Sequence, residues 1–292
     1  MHERYSIIDT FPEFLEFWKS VRSLPLDYQI DAWANLYGQM WPEILRKQVG
    51  DYIEQGIDWR QVAAARIFPF IDERLPEMRK VHDQLVYLLP HLLARAKATL
   101  GFATEINFVL YVGIGCGAGW ATTYAERPAI LFGLENLVES GWTTPPILSG
   151  MVAHKLGHIA HQHWRTQTGK AMGTGPWWQL YEEGFAQRCE HLVQGKETWH
   201  MAYGKVGWTL WCLSNVGQLA HEFLRRVDAG ESMQPLFGSW YDIDGWQQTG
   251  YFLGHTIIRA LEEQYSLLEI ALLEDVESQL RPVVEALARR PE

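Results

Sequence analysis

The one β-like stretch of this chain is short and central, and it lies between two long blocks of helical period. INFVLYVG, at 106–113, is rich in β-branched and aromatic residues, as a buried strand is, and PAILFGL, at 128–134, reads as a second strand. Before them, from Phe11 to about Leu100, apolar residues recur at three and four spacing in LDYQIDAWANLYGQMWPEILRKQV and in MRKVHDQLVYLLPHLLARAKATL. Pro42 and Pro90 are expected to kink or divide these runs. After Pro145 and Pro146 helices are expected over Ile147–Trp164, Trp178–Val193, Val206–Val227, Trp246–Tyr265 and Leu267–Ala288. Helices, a small sheet, then helices predict a mostly helical α+β fold, with an N-terminal helical region over 1–100 and a second domain over 101–292.

Between the two strands glycine recurs at 113, 115, 117 and 119. No amphipathic helix opens on the last of them, so the run reads as a glycine-rich turn and not as a dinucleotide loop. With 35 acidic against 25 basic residues the formal charge is -10, and a chain without excess cations gains nothing from releasing phosphate counterions. Nucleic acid is therefore excluded as a partner. The amino terminus has no apolar core of a secretory signal, and apolar stretches such as Pro128–Leu134 fall far short of the roughly 20 residues that span a bilayer. Three scattered cysteines, Cys116, Cys189 and Cys212, make no disulfide framework, which places the expected location in the reducing cytoplasm. The 14 tryptophans allow a Trp-lined cleft, but packing in the core is the simpler reading.

The residues that carry chemistry lie in SGMVAHKLGHIAHQHWR. His154 and His158 are four apart on a helical segment, so their imidazoles leave one face one turn apart, the spacing of two nitrogen ligands on one tetrahedral ion. Zinc with an open position needs a third ligand, often a carboxylate on a second helix, and WWQLYEEGFAQRCEHL supplies Glu183. Gly184 directly after it permits close approach of another backbone or of a substrate. His161 lies one turn beyond His158 and would need a bent helix to compete, and His163 points away.

H-x-x-x-H followed by E-E-G-F-A-x-x-x-E resembles the gluzincin clan of zinc peptidases, in the order strands, metal helix at about 147–164, carboxylate helix at about 178–193, tyrosine helix. The resemblance covers roughly residues 105 to 265 and implies a gluzincin-like metallopeptidase domain over 101–292 that holds Zn2+ on His154, His158 and Glu183. It implies that Glu190 orients a ligand histidine from behind, and that Tyr251, in Y-x-x-G with Gly254, donates to the oxyanion of peptide-bond hydrolysis. Glu135 and Asn136 echo an element with which aminopeptidases hold a substrate amine. A peptide or protein is the implied substrate or ligand.

The departure is at the base. Where the clan has H-E-x-x-H, this chain has H-K-L-G-H, and an ammonium at Lys155 accepts no proton. Three readings follow: a pseudoenzyme that keeps the site to bind metal and peptide, a catalytic Lys155 acting in its neutral form, or a lysine introduced in place of the clan's glutamate. Glu182 points about 100° away from Glu183 on an ideal helix and is expected to miss the metal water.

Overall fold

The computed structural model describes residues 5–202, 205–238 and 240–289. Their fold is mixed α+β, mostly helical, with one four-stranded sheet. The strands are β1 (Tyr5–Asp9), β2 (Ile106–Tyr111), β3 (Trp120–Tyr124) and β4 (Arg127–Gly133), in the order β1-β2-β4-β3. β1 and β4 run parallel to β2, and β3 returns antiparallel to β4. Every residue of β2 is buried, which is why it is apolar but for Asn107, whose amide donates to the Tyr124 carbonyl at 2.9 Å. The two edge strands were not anticipated, because five residues of YSIID or WATTY carry only a partly buried face. β3 and β4 are joined by Ala125 and Glu126, both left-handed at φ 48° and 62°, the twist that a two-residue hairpin demands.

The chain divides into two compact units. Unit 1 is Met1–Ala94 with Ala103–Val152, and unit 2 is Arg95–Phe102 with Ala153–Glu292. Among the described residues no helix is long and apolar enough to cross a membrane.

Unit 2 is helical. Its main elements are the histidine helix (Pro145–Gln167, from Ala153 onward), the glutamate helix (Pro176–Gln194) and the tyrosine helix (Thr249–Leu261). Proline in the first turn opens the glutamate helix, and left-handed Gly195 closes it. The segment expected as one helix from Val206 to Val227 is two, Trp208–Ser214 and Val216–Ala229, broken where Asn215 turns its amide onto the Trp211 carbonyl. The last expected helix is likewise divided, into Leu267–Ala271 behind a Ser266–Glu269 capping box and Val276–Ala288 behind Asp275, which accepts from the Ser278 N–H.

In unit 1 the glycine run is a turn between β2 and β3 whose backbone is consumed by buried side chains. Trp33 Nε1 donates to the Val112 carbonyl at 3.2 Å and the Tyr52 hydroxyl to the Ile114 carbonyl at 2.9 Å, while Gln48 Oε1 accepts from the Ile114 N–H at 2.9 Å. Glu135 accepts from the Gly115 N–H at 3.2 Å and Asn136 donates to its carbonyl at 2.9 Å, so the pair clamps both polar groups of one glycine. A methyl group at Gly113 would fall 2.0 Å from Gln48 Oε1 and would displace the side chain that holds the Ile114 N–H.

That clamp has an electrostatic cost. Glu135 is 1% exposed, and its second oxygen has no hydrogen-bond partner, as is also true of the Tyr111 hydroxyl. Burial, only partly offset by backbone N–H groups from Gly113, Glu135 and Gly115, pushes its carboxyl up to about 7. The folded protein thus holds this proton more tightly than the unfolded chain. The associated stability is full below the ordinary carboxylate range and is lost as pH rises through about 7, on the order of 3 kcal/mol in all. Urea denaturation of wild type and Glu135→Gln between pH 4 and 8.5 should therefore show midpoints that diverge with rising pH, the variant keeping what the wild type loses; parallel curves would refute this.

Candidate metal centre

Three glycines bring the site together. A methyl group at Gly184 would lie 2.2 Å from the Gly254 carbonyl carbon, and one at Gly254 would lie 2.4 Å from the Leu180 carbonyl oxygen. The glutamate and tyrosine helices therefore cross backbone on backbone, one residue past Glu183 and one turn past Tyr251. Gly157, between His154 and His158, makes the corresponding contact for the histidine helix: a methyl there would fall 2.7 Å from Cys189 Cβ and 3.1 Å from Ala186 Cα. Each glycine lies next to, or one turn from, a polar residue that faces the centre.

His154 Nε2, His158 Nε2 and a single oxygen of Glu183 form a triangle. The edges are 3.0 Å from His154 to Glu183, 3.3 Å from His158 to Glu183 and 3.2 Å between the two imidazoles. An ion bound tetrahedrally at 2.0–2.1 Å sets its donors about 3.3 Å apart, so this donor set fits one face of such a tetrahedron and leaves the fourth corner open. His154 and His158 are buried, and Glu183 is partly exposed. The same atoms, with the same burial, are what a small divalent cation selects.

Behind each imidazole stands a carboxylate. His158 Nδ1 faces Glu182 at 3.5 Å, and Glu182 is itself anchored by the Trp178 indole N–H at 3.0 Å. His154 Nδ1 faces Glu190 at 3.8 Å, an ion-pair distance beyond a hydrogen bond. Glu190 is fully buried and accepts from Thr198 Oγ1 at 2.9 Å and from His200 Nδ1 at 2.7 Å. Both ring faces that look away from the triangle thus meet negative charge, the arrangement that directs Nε2 lone pairs inward. A second group of donors, His154, Glu190 and His200, shares His154 with the first. Its Glu190–His200 contact is a direct hydrogen bond of 2.7 Å, and all three of its residues are buried.

The charges follow this geometry. Burial holds the His154 imidazole well below its ordinary value, against its hydrogen bond to the Glu183 carboxylate. Burial also opposes charge on His158, but the Glu183 carboxylate and hydrogen bonds to Glu182 and Glu183 outweigh it and lift the ring to about 9. Glu183, despite burial, is held well below the carboxylate range by the His158 charge and by hydrogen bonds to both histidines.

Tyr251 comes in from the tyrosine helix with its ring 5.5 Å from that of His154. Burial, then the charge of Glu183 and a hydrogen bond to it, push the phenol well above its ordinary value, so it stands beside the triangle as a protonated donor. Lys155 is partly exposed and makes no hydrogen bond or ion pair among the described residues, while its charge depresses both His154 and Glu183. His161 is fully buried elsewhere, its Nε2 3.1 Å from the Ala271 carbonyl and 3.2 Å from the Tyr181 hydroxyl. His163 packs against Phe102. Glu135 and Asn136 are spent on Gly115, as described above. Sequence reasoning missed Glu182 as the partner of His158, and missed His200 and Thr198 altogether: both lie after the helix end at Gly195, where no periodicity tells where a side chain points.

Neither protein families, nor curated proteins, nor solved structures match this chain.

Because the glycine contacts are with backbone, no rotamer change relieves a methyl placed there. Gly184→Ala and Gly254→Ala should each destabilise the protein by about 1–3 kcal/mol or more. Gly50→Ala, in the helix Pro42–Glu54 with open space around it, should be neutral or stabilising by up to about 1 kcal/mol. Thermal melts of the three variants compare them directly, and unchanged melting of both crossing variants would mean that the helices are not in backbone contact.

Proposed function

We propose that the chain is a gluzincin-like zinc metallopeptidase-type protein, with His154, His158 and Glu183 as the metal ligands and a peptide or related amide as what its cleft receives. The observation that carries this reading is the triangle of donor atoms, 3.0–3.3 Å apart, with a carboxylate behind each imidazole and a protonated tyrosine alongside. Zinc, when bound there, polarises a carbonyl and acidifies water. The protein's own residues divide the remaining work. Glu182 and Glu190 fix the two imidazoles, and Tyr251 donates to oxygen that gains charge during attack on the carbonyl.

The missing function is proton transfer. A lysine ammonium has no lone pair, and Glu182 is engaged with His158 and Trp178. We therefore read the native protein as weak or inactive in ordinary peptide hydrolysis. The second reading is a binding module that keeps metal and peptide without cutting, and Lys155 is the observation that favours it.

Protein purified without chelators should contain one equivalent of zinc. Metal content should fall sharply in His158→Ala and Glu183→Ala and stay unchanged in His163→Ala; equal zinc in all three would remove the triangle from consideration.

Lys155→Glu should create or strongly increase hydrolysis of generic peptides, because general-base catalysis contributes about 10²- to 10⁴-fold. If the native protein cuts peptides well and Lys155→Ala is inactive, the lysine is itself a working catalytic group. If neither form cuts, the binding-module reading stands.

A further inference from the structure

Unit 2 has a second polar cavity that the metal centre does not use. It measures about 420 Å³ and is lined by Arg188 and His191 of the glutamate helix, Lys196 and Glu197 just beyond its end, and His255 and Arg259 of the tyrosine helix. Three of these side chains are cationic. Arg188 and Arg259 share one carboxylate, Glu262: Arg188 holds both its oxygens through Nε alone at 2.9 Å, and Arg259 takes one through Nη1 at 2.7 Å. Among the described residues this leaves both Nη groups of Arg188 and one Nη of Arg259 without an acceptor, and Lys196 without an ion pair. Glu197 is turned to the Trp199 indole N–H at 2.9 Å. Three cations against Glu262 and Glu197 leave one net positive charge (3 − 2 = 1) in a cavity of a chain whose total is -10.

Two imidazoles line the cavity, and one of them has an unengaged ring nitrogen. His191 Nε2 is fixed on the Thr198 carbonyl at 2.6 Å, and its ring lies 4.4 Å from that of His255. His255 Nε2 is buried and has no partner. Burial first, then the neighbouring Arg188 and Arg259, holds this imidazole neutral, down to about 2. Guanidinium Nη pairs, an ammonium and an imidazole around one hollow match a compact oxyanion with several acceptor oxygens.

We propose that this cavity binds a phosphate group, free or carried on a small molecule, through Arg188, Arg259 and Lys196, with His255 at its floor. The site is independent of the metal centre. Its charge sign is opposite to that of the chain as a whole, so binding is specific to the cavity and weakens with salt.

The test is isothermal titration of the full-length protein with inorganic phosphate, with glycerol phosphate as a monoester and with acetate as a monoanion, at low salt. Saturable phosphate binding is expected, with acetate much weaker. Lys196→Glu and Arg259→Gln, both at exposed positions, should each weaken phosphate by about tenfold or more while melting as the wild type does. Tighter binding of the monoester would assign the phosphate to a larger metabolite, and tighter binding of inorganic phosphate to the free ion. Absence of saturable binding, or phosphate affinity unchanged in both variants, would overturn the proposal.

Discussion

Everything at the centre of unit 2 depends on two helices that touch through glycine. Where side chains mediate a helix contact the axes lie 8–10 Å apart and long residues absorb small errors. At Gly184 and Gly254 there is nothing to absorb them, since even a methyl group would fall 2.2 and 2.4 Å from the opposite backbone. The Cα atoms of Glu183 and Tyr251 are one residue and one turn from this crossing, so the main chain fixes the points from which the carboxylate and the phenol reach the centre. Gly157 does the same for the two histidines.

Around this rigid crossing the polar groups are arranged in two layers. The inner layer is the triangle of His154, His158 and Glu183, and the outer layer is Glu182 with Trp178, and Glu190 with Thr198 and His200. Burying three carboxylates in one place is expensive unless each is hydrogen-bonded or paired. Each of them is: Glu183 with both histidines, Glu182 with Trp178 and His158, and fully buried Glu190 with Thr198 and His200.

Much of this was legible in the sequence, for identifiable reasons. His154 and His158 converge because helical period is local, and a four-residue spacing means one face wherever the helix goes. Glu183, which the E-G-F-A setting singles out, does lie against both histidines, and Gly184 beside it makes the close backbone approach expected of it. What stayed hidden depends on contacts between distant segments. Thr198 and His200 reach Glu190 from a loop after Gly195, and Glu182, expected only to miss the metal water, is drawn to His158 by the roll of its helix against the histidine helix. In the fold, the two central strands declared themselves by their apolar runs, whereas β1 and β3, short and half-wetted, became visible only through their pairing. The helix breaks at Asn215 and before Asp275 involve no proline or glycine, so periodicity carried straight across them.

Lys155 is most informative when the charges around the triangle are added. Glu182, Glu183 and Glu190 supply three negative charges. In the proposed metal-bound form, where both imidazoles are neutral ligands, a divalent cation would supply two positive ones, and the lysine ammonium the third. The assembly is then electroneutral, and only a divalent ion makes it so: a monovalent ion leaves an excess anion and a trivalent one an excess cation, each uncompensated in a mostly buried setting. On the proposed reading, the residue that gives up proton transfer at position 155 returns a fixed positive charge beside the carboxylates of the site.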